Sequence, residues 1–209
     1  MNTIEALKWR YATKSFDKDK MISKEKLDII LNAFNLTATS YGLQPLKLLV
    51  IENKKLQQGL VSCSMNQEQI AQASQVLVIC IETGIDKVFI ENYFSLVKSI
   101  RNTPDAVLNP FKNFLIDDFE KKSEKEIKEW SVKQAYLALG NLLTVCALEE
   151  VDACPMEGFD PKKYDEFLDL KTKGLQSVLV LPIGYRAEND FMAELKKVRK
   201  NLSDSIIIM

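Results

Sequence analysis

The chain has 209 residues, 46% of them hydrophobic and only 7 of them glycine, a composition that fits a single domain over 1–209 with a substantial core. Its formal charge is −1, so no strongly basic face offers itself to nucleic acid. It contains no histidine, which removes Ser-His-Asp and Cys-His catalysis and every zinc site that needs imidazole, and no metal site is expected.

Taken in order, Asn2 and Glu5 can cap a short helix over Ile4–Trp9, which gives way to the segment Arg10 to Phe16. Met1 to Arg10 lacks the apolar core of a secretory signal, so a cytoplasmic setting is expected. Ser23 caps a second helix, whose Leu27, Ile30, Leu31 and Phe34 recur at helical spacing. The turn-rich run Thr37 to Pro45 then leads into a strand over Leu46–Ile51. Gln57–Val61 and Asn66–Ala73 read as short helices, and the unbroken apolar run Val76–Ile81 reads as a central strand covered on both faces.

Asp86–Ile100 predicts a helix with a broad apolar face. Pro104 and Pro110 predict that the next stretch, which carries Phe111, Phe114 and Phe119, is a broken helix or lid-like excursion. Ser123 and Glu126 form a capping box opening a long core helix, apolar on nearly every side from Ala135 to Leu148. That apolar run is too short, and too interrupted by Gly140, Asn141 and Thr144, to span a bilayer.

A short extended segment and the ledge Pro155-Met156-Glu157-Gly158-Phe159 follow. Pro155 has no N–H, and Gly158 lets another group approach the main chain. Asp160-Pro161 opens a short helix, Val178–Ile183 is a third buried strand, and Ile206-Ile207-Ile208 ends the chain. That tail needs cover, from a strand place either in its own sheet or, by preference, in a partner subunit's. Helices outnumber strands, and the class is α+β, with a small sheet between helices.

Four cysteines, Cys63, Cys80, Cys146 and Cys154, are scattered without a C-x-x-C pair and read as buried structural thiols. Arg10 and Lys14, four apart where a helix yields to a loop, either face one site or stand as solvated charges. Lys197 and Arg199 pose the same choice near the other end of the chain. No G-x-G-x-x-G and no P-loop occurs.

Six segments in register together resemble the flavin-dependent nitroreductases, most closely their oxygen-insensitive NAD(P)H-dependent branch, with dihydropteridine reduction as a related activity. They are Arg10-x-x-x-Lys14-x-Phe16, Ser40-Tyr41-Gly42-Leu43-Gln44-Pro45, Asn66, Pro155-Met156-Glu157-Gly158-Phe159, Leu181-Pro182-Ile183-Gly184-Tyr185 and Lys197-x-Arg199. The resemblance implies a mainly antiparallel sheet, an exchanged C-terminal strand, and a homodimer with FMN at the subunit interface.

By the same resemblance, Arg10, Lys197 and Arg199 would hold the FMN phosphate, with Tyr11 and Ala12 beside them. Lys14 would lie at the pyrimidine edge of the ring, and the backbone N–H of Glu157 or Gly158 would reach N5, which makes Lys14 and Glu157 the catalytic candidates. Asn66, Gln69, Pro155 and Met156 would line the ring or ribityl chain, and Thr39, Ser40 and Gln44 would reach the flavin from the other subunit. Tyr41, Phe111 and Phe114 are the substrate-contact candidates.

The implied activity is ping-pong hydride transfer from NAD(P)H through flavin to nitroaromatic, quinone or related electron-poor acceptors, with no membrane or nucleic-acid partner. The alternative is a flavin storage or sensing protein with little turnover. Ala12 replaces a hydroxyl residue common in relatives, Gln69 replaces a lysine, and Leu46 replaces an aromatic. The first two lose a phosphate contact and a positive charge respectively.

Overall fold

The computed structural model describes residues 2–209. Helix α1, Thr3–Trp9, opens on the expected Asn2–Glu5 capping box, and α2, Lys24–Asn35, opens on Ser23. A 3-10 turn over Ser40–Gly42 precedes strand β1, Leu46–Ile51. Helix α3 spans Lys54–Leu60 and α4 only Gln69–Gln72. The helix expected to begin at Asn66 starts later, because Met65 and Asn66 both take left-handed backbone angles (φ 54° and 57°) that no right-handed helix accommodates.

Strand β2, Gln75–Glu82, is followed by α5, Lys87–Arg101, capped by Asp86. The segment expected to be broken by prolines is one helix, α6, Asp105–Glu120. Pro104 takes the N-cap place, and Pro110 lies early enough that its missing N–H orphans a single carbonyl, that of Ala106. Helix α7, Glu124–Leu148, starts on the Ser123–Glu126 capping box and runs 25 residues. Beyond it come β3, Asp152–Ala153; α8, Pro161–Phe167; β4, Leu175–Gly184; and α9, Leu202–Ser205.

The four strands form one fully antiparallel sheet in the order β1-β2-β4-β3. Alternation along the central strands sends side chains to two cores. Val76, Val78, Cys80 and Val180 face Phe16, Met156, Phe159 and Tyr164, while Leu77, Ile79, Leu179 and Leu181 face Ala135, Ala138, Leu142 and Cys146 of α7. A third cluster, with Phe94, Leu115 and Phe119, joins α5 to α6. All four cysteines are buried and free.

Helix α7 is covered on one side only. Ala135, Ala138, Leu139 and Leu142 are buried, yet Tyr136 and Leu137 are 45% and 55% exposed, so the apolar sequence does not mean burial all round within this chain. The tail Ile206 to Met209 is exposed and pairs with no strand of the sheet among the described residues. None of the described helices is long and apolar enough to cross a membrane.

Candidate functional site

The segment after α1 runs along the β3 edge of the sheet: Ala12 bridges Ala153 in parallel, and Phe16 bridges Arg186. What fixes it is Asp190, 3% exposed and 175 residues or more away in sequence. Its carboxylate accepts the Lys14 N–H at 2.8 Å, the Ser15 N–H and the Tyr11 hydroxyl at 3.1 Å, and the Met192 N–H at 2.9 Å. Burial alone would raise the Asp190 carboxyl, but these donors outweigh it and hold it below the ordinary value. Burial pushes the Tyr11 phenol up to about 12, with Arg186 opposing and Asp190 adding to the rise.

A second lock sits behind the first. The Asp152 carboxylate, 4% exposed, accepts the Arg186 Nε–H at 2.8 Å and its backbone N–H at 2.8 Å. The guanidinium lies 4.3 Å from the Trp9 ring centre and 4.6 Å from that of Tyr11. Neither Asp190 nor the Asp152–Arg186 pair carries a sequence signal, because each partner is distant along the chain.

On this scaffold Arg10, Lys197 and Arg199 converge, with Lys8 and Lys196, around a cavity of about 450 Å³ floored by Trp9 and Tyr11. The Lys197 amine donates to the Arg10 carbonyl. The Arg10 Nε is buried and finds no acceptor. Burial and then Arg199 lower the Arg10 pKa; burial and then Arg10 and Arg199 lower that of Lys197. No carboxylate lies within ion-pair distance of these three among the described residues. Cations that crowd one another with no acid between them make an anion site, and guanidinium forks suit phosphate.

Lys14 connects this cavity to the ledge. Its main chain is clasped by Asp190, and its amine lies 3.8 Å from the Cys154 sulfur, which Gln69 Nε2 approaches from another side at 3.9 Å. Burial raises the Cys154 thiol, with Lys14 and Gln69 opposing. The ledge continues the sheet edge: Cys154 N–H donates to the Pro182 carbonyl at 3.0 Å, and Met156 exchanges both main-chain bonds with Val180. Beyond Met156 the pairing stops. The N–H groups of Glu157 and Gly158 donate to nothing among the described residues. Tyr136 of α7 donates to the Glu157 carboxylate at 2.7 Å, which raises the Tyr136 phenol.

Asn66 and Pro155 also lie on the segments that border this ledge, Asn66 exposed in its left-handed turn and Pro155 half-buried between Cys154 and Met156. Gln67, absent from the sequence expectations, donates from Nε2 to the Gly158 carbonyl at 2.8 Å. A Cβ on Gly158 would stand 3.0 Å from that nitrogen, so a side chain there would push the Gln67 amide back by a few tenths of an ångström.

The remaining expected residues lie elsewhere in the protomer. Thr39 and Gln44 line a separate cavity of about 410 Å³ beside Phe34, Leu43 and Tyr93. The Ser40 N–H donates to Gln134 Oε1 at 2.8 Å. Tyr41, left-handed at φ 59°, stacks on Trp130 with centroids 6.4 Å apart and meets Phe111 edge-on. Phe111 and Phe114 stack nearly parallel, 6.2 Å apart, and both are about half exposed. These groups surround the entry to β1, at the opposite edge of the sheet from β3.

The profile of the nitroreductase family matches residues 7–185. The chain is 29% identical to the oxygen-insensitive NAD(P)H nitroreductase of Salmonella typhimurium, covering 99% of each, and 32% identical to the major NAD(P)H-flavin oxidoreductase of Aliivibrio fischeri, covering 99% of this chain and 98% of that one. Among solved structures, an Exiguobacterium sibiricum protein described as a nitroreductase in complex with FMN superposes with a TM-score of 0.85 at 21% identity, over 100% of this chain and 98% of that one. A nitroreductase-like protein from Streptococcus mutans gives a TM-score of 0.82 at 22% identity, over 99% and 97%. Profile and full-length relatives agree, and the chain belongs to the nitroreductase family.

Proposed function

We propose that the protein is an FMN-dependent oxidoreductase that carries hydride from NAD(P)H to electron-poor acceptors such as nitroaromatics and quinones, in ping-pong order. The observation that carries this reading is the cluster of Arg10, Lys197 and Arg199 around an orphaned Arg10 Nε, beside main-chain N–H groups that donate to nothing. The first suits a phosphate, the second an acceptor atom of a planar ring. FMN, when bound, supplies the redox chemistry, and the protein supplies position and field.

Each part of the chain then has a task. Arg10, Lys197 and Arg199 hold the phosphate, with Tyr11 fixing the floor of their cavity. Lys14 sets a positive charge where reduction makes the ring negative, an effect that strengthens as water is excluded. Pro155, half-buried above the core residue Met156, would cover one ring face, and the free N–H groups of Glu157 and Gly158 would orient its edge. No side-chain acid or base takes part, consistent with a histidine-free chain.

The site is completed by a second copy of the chain. Thr39, Ser40 and Gln44 stand at the far sheet edge, the apolar flank of α7 with Tyr136 and Leu137 is uncovered, and Ile206 to Ile208 lie unpaired. A symmetric pair covers both apolar surfaces and brings one protomer's loop to the other's ledge. The half-exposed Phe111–Phe114 stack, steadied by Tyr41, is the apolar platform for an aromatic acceptor.

Anaerobic stopped-flow mixing of the yellow protein with NADH or NADPH tests this. Rapid loss of the oxidised flavin absorbance, and its return on adding a nitroaromatic or quinone, is the expected result. The buried, neutral Gln69 amide beside Cys154 and Met156, which sets no positive charge there, favours a second reading as a flavin-binding protein with little turnover. A stable oxidised spectrum under the same mixing selects that reading, and a colourless purified protein rejects both.

A further inference from the structure

Two side-chain amides sit in line with two peptide groups of the ledge. Gln69 Nε2 donates to Gln67 Oε1 at 2.9 Å, and Gln67 Nε2 donates to the Gly158 carbonyl at 2.8 Å. The peptide that owns this carbonyl also owns the Phe159 N–H, which donates to the Glu157 carbonyl at 2.9 Å. The peptide that owns the Glu157 carbonyl ends in the Gly158 N–H, which donates to nothing among the described residues. Between the Gln69 donor at the head and the free Gly158 N–H at the tail, the Gln67 amide and the Gly158–Phe159 peptide each accept at the oxygen and donate at the nitrogen.

The direction of this chain is not a matter of choice. A carbonyl only accepts, so the Gln67 amide must turn its NH₂ to Gly158 and its oxygen to Gln69. The backbone is bent to achieve it. Met65 and Asn66 take left-handed angles back to back, a conformation unfavourable for non-glycine residues and one that aims Gln67 across at the ledge. Gly158 leaves room for the amide, since a Cβ there would meet Gln67 Nε2 at 3.0 Å. Gln69 and Phe159 are 4% and 5% exposed and Gln67 and Gly158 half-buried, so most of the relay is shielded from bulk water, and aligned hydrogen bonds there polarise one another.

We infer that Gln67 and Gln69 are positioning residues that polarise and orient the Gly158 N–H as the donor to the flavin ring edge. This rests on the FMN reading above. It gives the buried Gln69 amide a task and brings in Gln67. A polarised donor binds an unprotonated ring nitrogen better than a protonated one, so the relay favours oxidised flavin over reduced flavin.

The test uses Gln69→Leu, which removes the head of the relay and keeps an apolar side chain against the Cys154 and Met156 sulfurs, and Gln67→Met, at a half-buried position, which breaks the relay without changing Gln69. In the flavin-free protein, both variants are expected to move the Gly158 amide proton upfield, with Gln67→Met giving the larger shift. In the FMN-loaded protein, oxidised-flavin affinity is expected to fall about threefold more than reduced-flavin affinity. That ratio is a rise of about 14 mV in the two-electron potential, at 29.6 mV per decade. A Gly158 resonance unmoved in the folded variants overturns the relay, and a moved resonance with an unchanged potential overturns its role at the flavin. A moved resonance in a protein that takes up no FMN upholds the relay and overturns only the flavin reading.

Discussion

At the scale of single residues, the site is set by which charges lack partners. Arg10, Lys197 and Arg199 repel one another with no acid between them, while Asp190, the nearby carboxylate, is spent on main-chain donors and the Tyr11 hydroxyl. Asp190 therefore shapes the loop without neutralising the cavity. Its folded carboxyl titrates below its unfolded value near 3.9, so the stability it confers is present above about pH 4 and is lost as pH falls through the lower folded value. Asp190→Asn is expected to lower the urea midpoint at neutral pH and to flatten its fall below about pH 4, read from denaturation curves across that range. Gln69 offers a contrasting case, a buried neutral amide against the Cys154 and Met156 sulfurs. Gln69→Lys can still donate to Gln67 and adds a cation near the Cys154 sulfur, so the FMN potential is expected to rise by about 20–45 mV, for roughly 1–2 kcal/mol of preference for the negative reduced ring. Potentiometric titration that finds no rise would count against the placement of Gln69 at the flavin.

At the scale of elements, caps and alternation decide more than propensity does. The Ser123–Glu126 box supplies reciprocal bonds at the start of α7, with Ser123 N–H donating to the Glu126 carboxylate at 2.8 Å. Ser123→Ala is expected to cost about 1 kcal/mol and to lower Tm by about 2–4 °C in a thermal melt, leaving FMN content unchanged. Helix α6 shows where local rules give way. Two prolines argue for a break, yet Leu115, Ile116 and Phe119 bury into the α5 cluster, and that packing outweighs one orphaned carbonyl. The short α4 is the converse: Met65 and Asn66 adopt left-handed angles, and the helix waits until they have turned the chain.

At the scale of the molecule, the sheet order β1-β2-β4-β3 puts the two halves of the proposed site on opposite edges. In the proposed dimer each chain would supply half of each site, and flavin binding would be coupled to pairing. Deleting Ile206 to Met209 is expected to shift sedimentation toward the monomer and to release FMN in parallel, because the proposed pairing loses the apolar contact these exposed residues would make with the partner. A truncated chain that stays dimeric with full flavin content would remove the tail from the interface.

Helix and strand positions were legible in the sequence alone because caps and periodicity are local. The Asn2, Ser23 and Ser123 caps, the apolar runs of β2 and β4, and the proline after Asp160 each act within a few residues. The basic pairs and the ledge were legible as fragments, and only the resemblance joined them. Three things were left to the tertiary structure: that Asp190 clasps a loop 175 residues away, that Gln67 rather than another polar side chain reaches Gly158, and that α7 keeps one apolar flank uncovered. Each depends on where distant segments meet across the sheet, and a linear pattern carries no record of which surface another segment will cover.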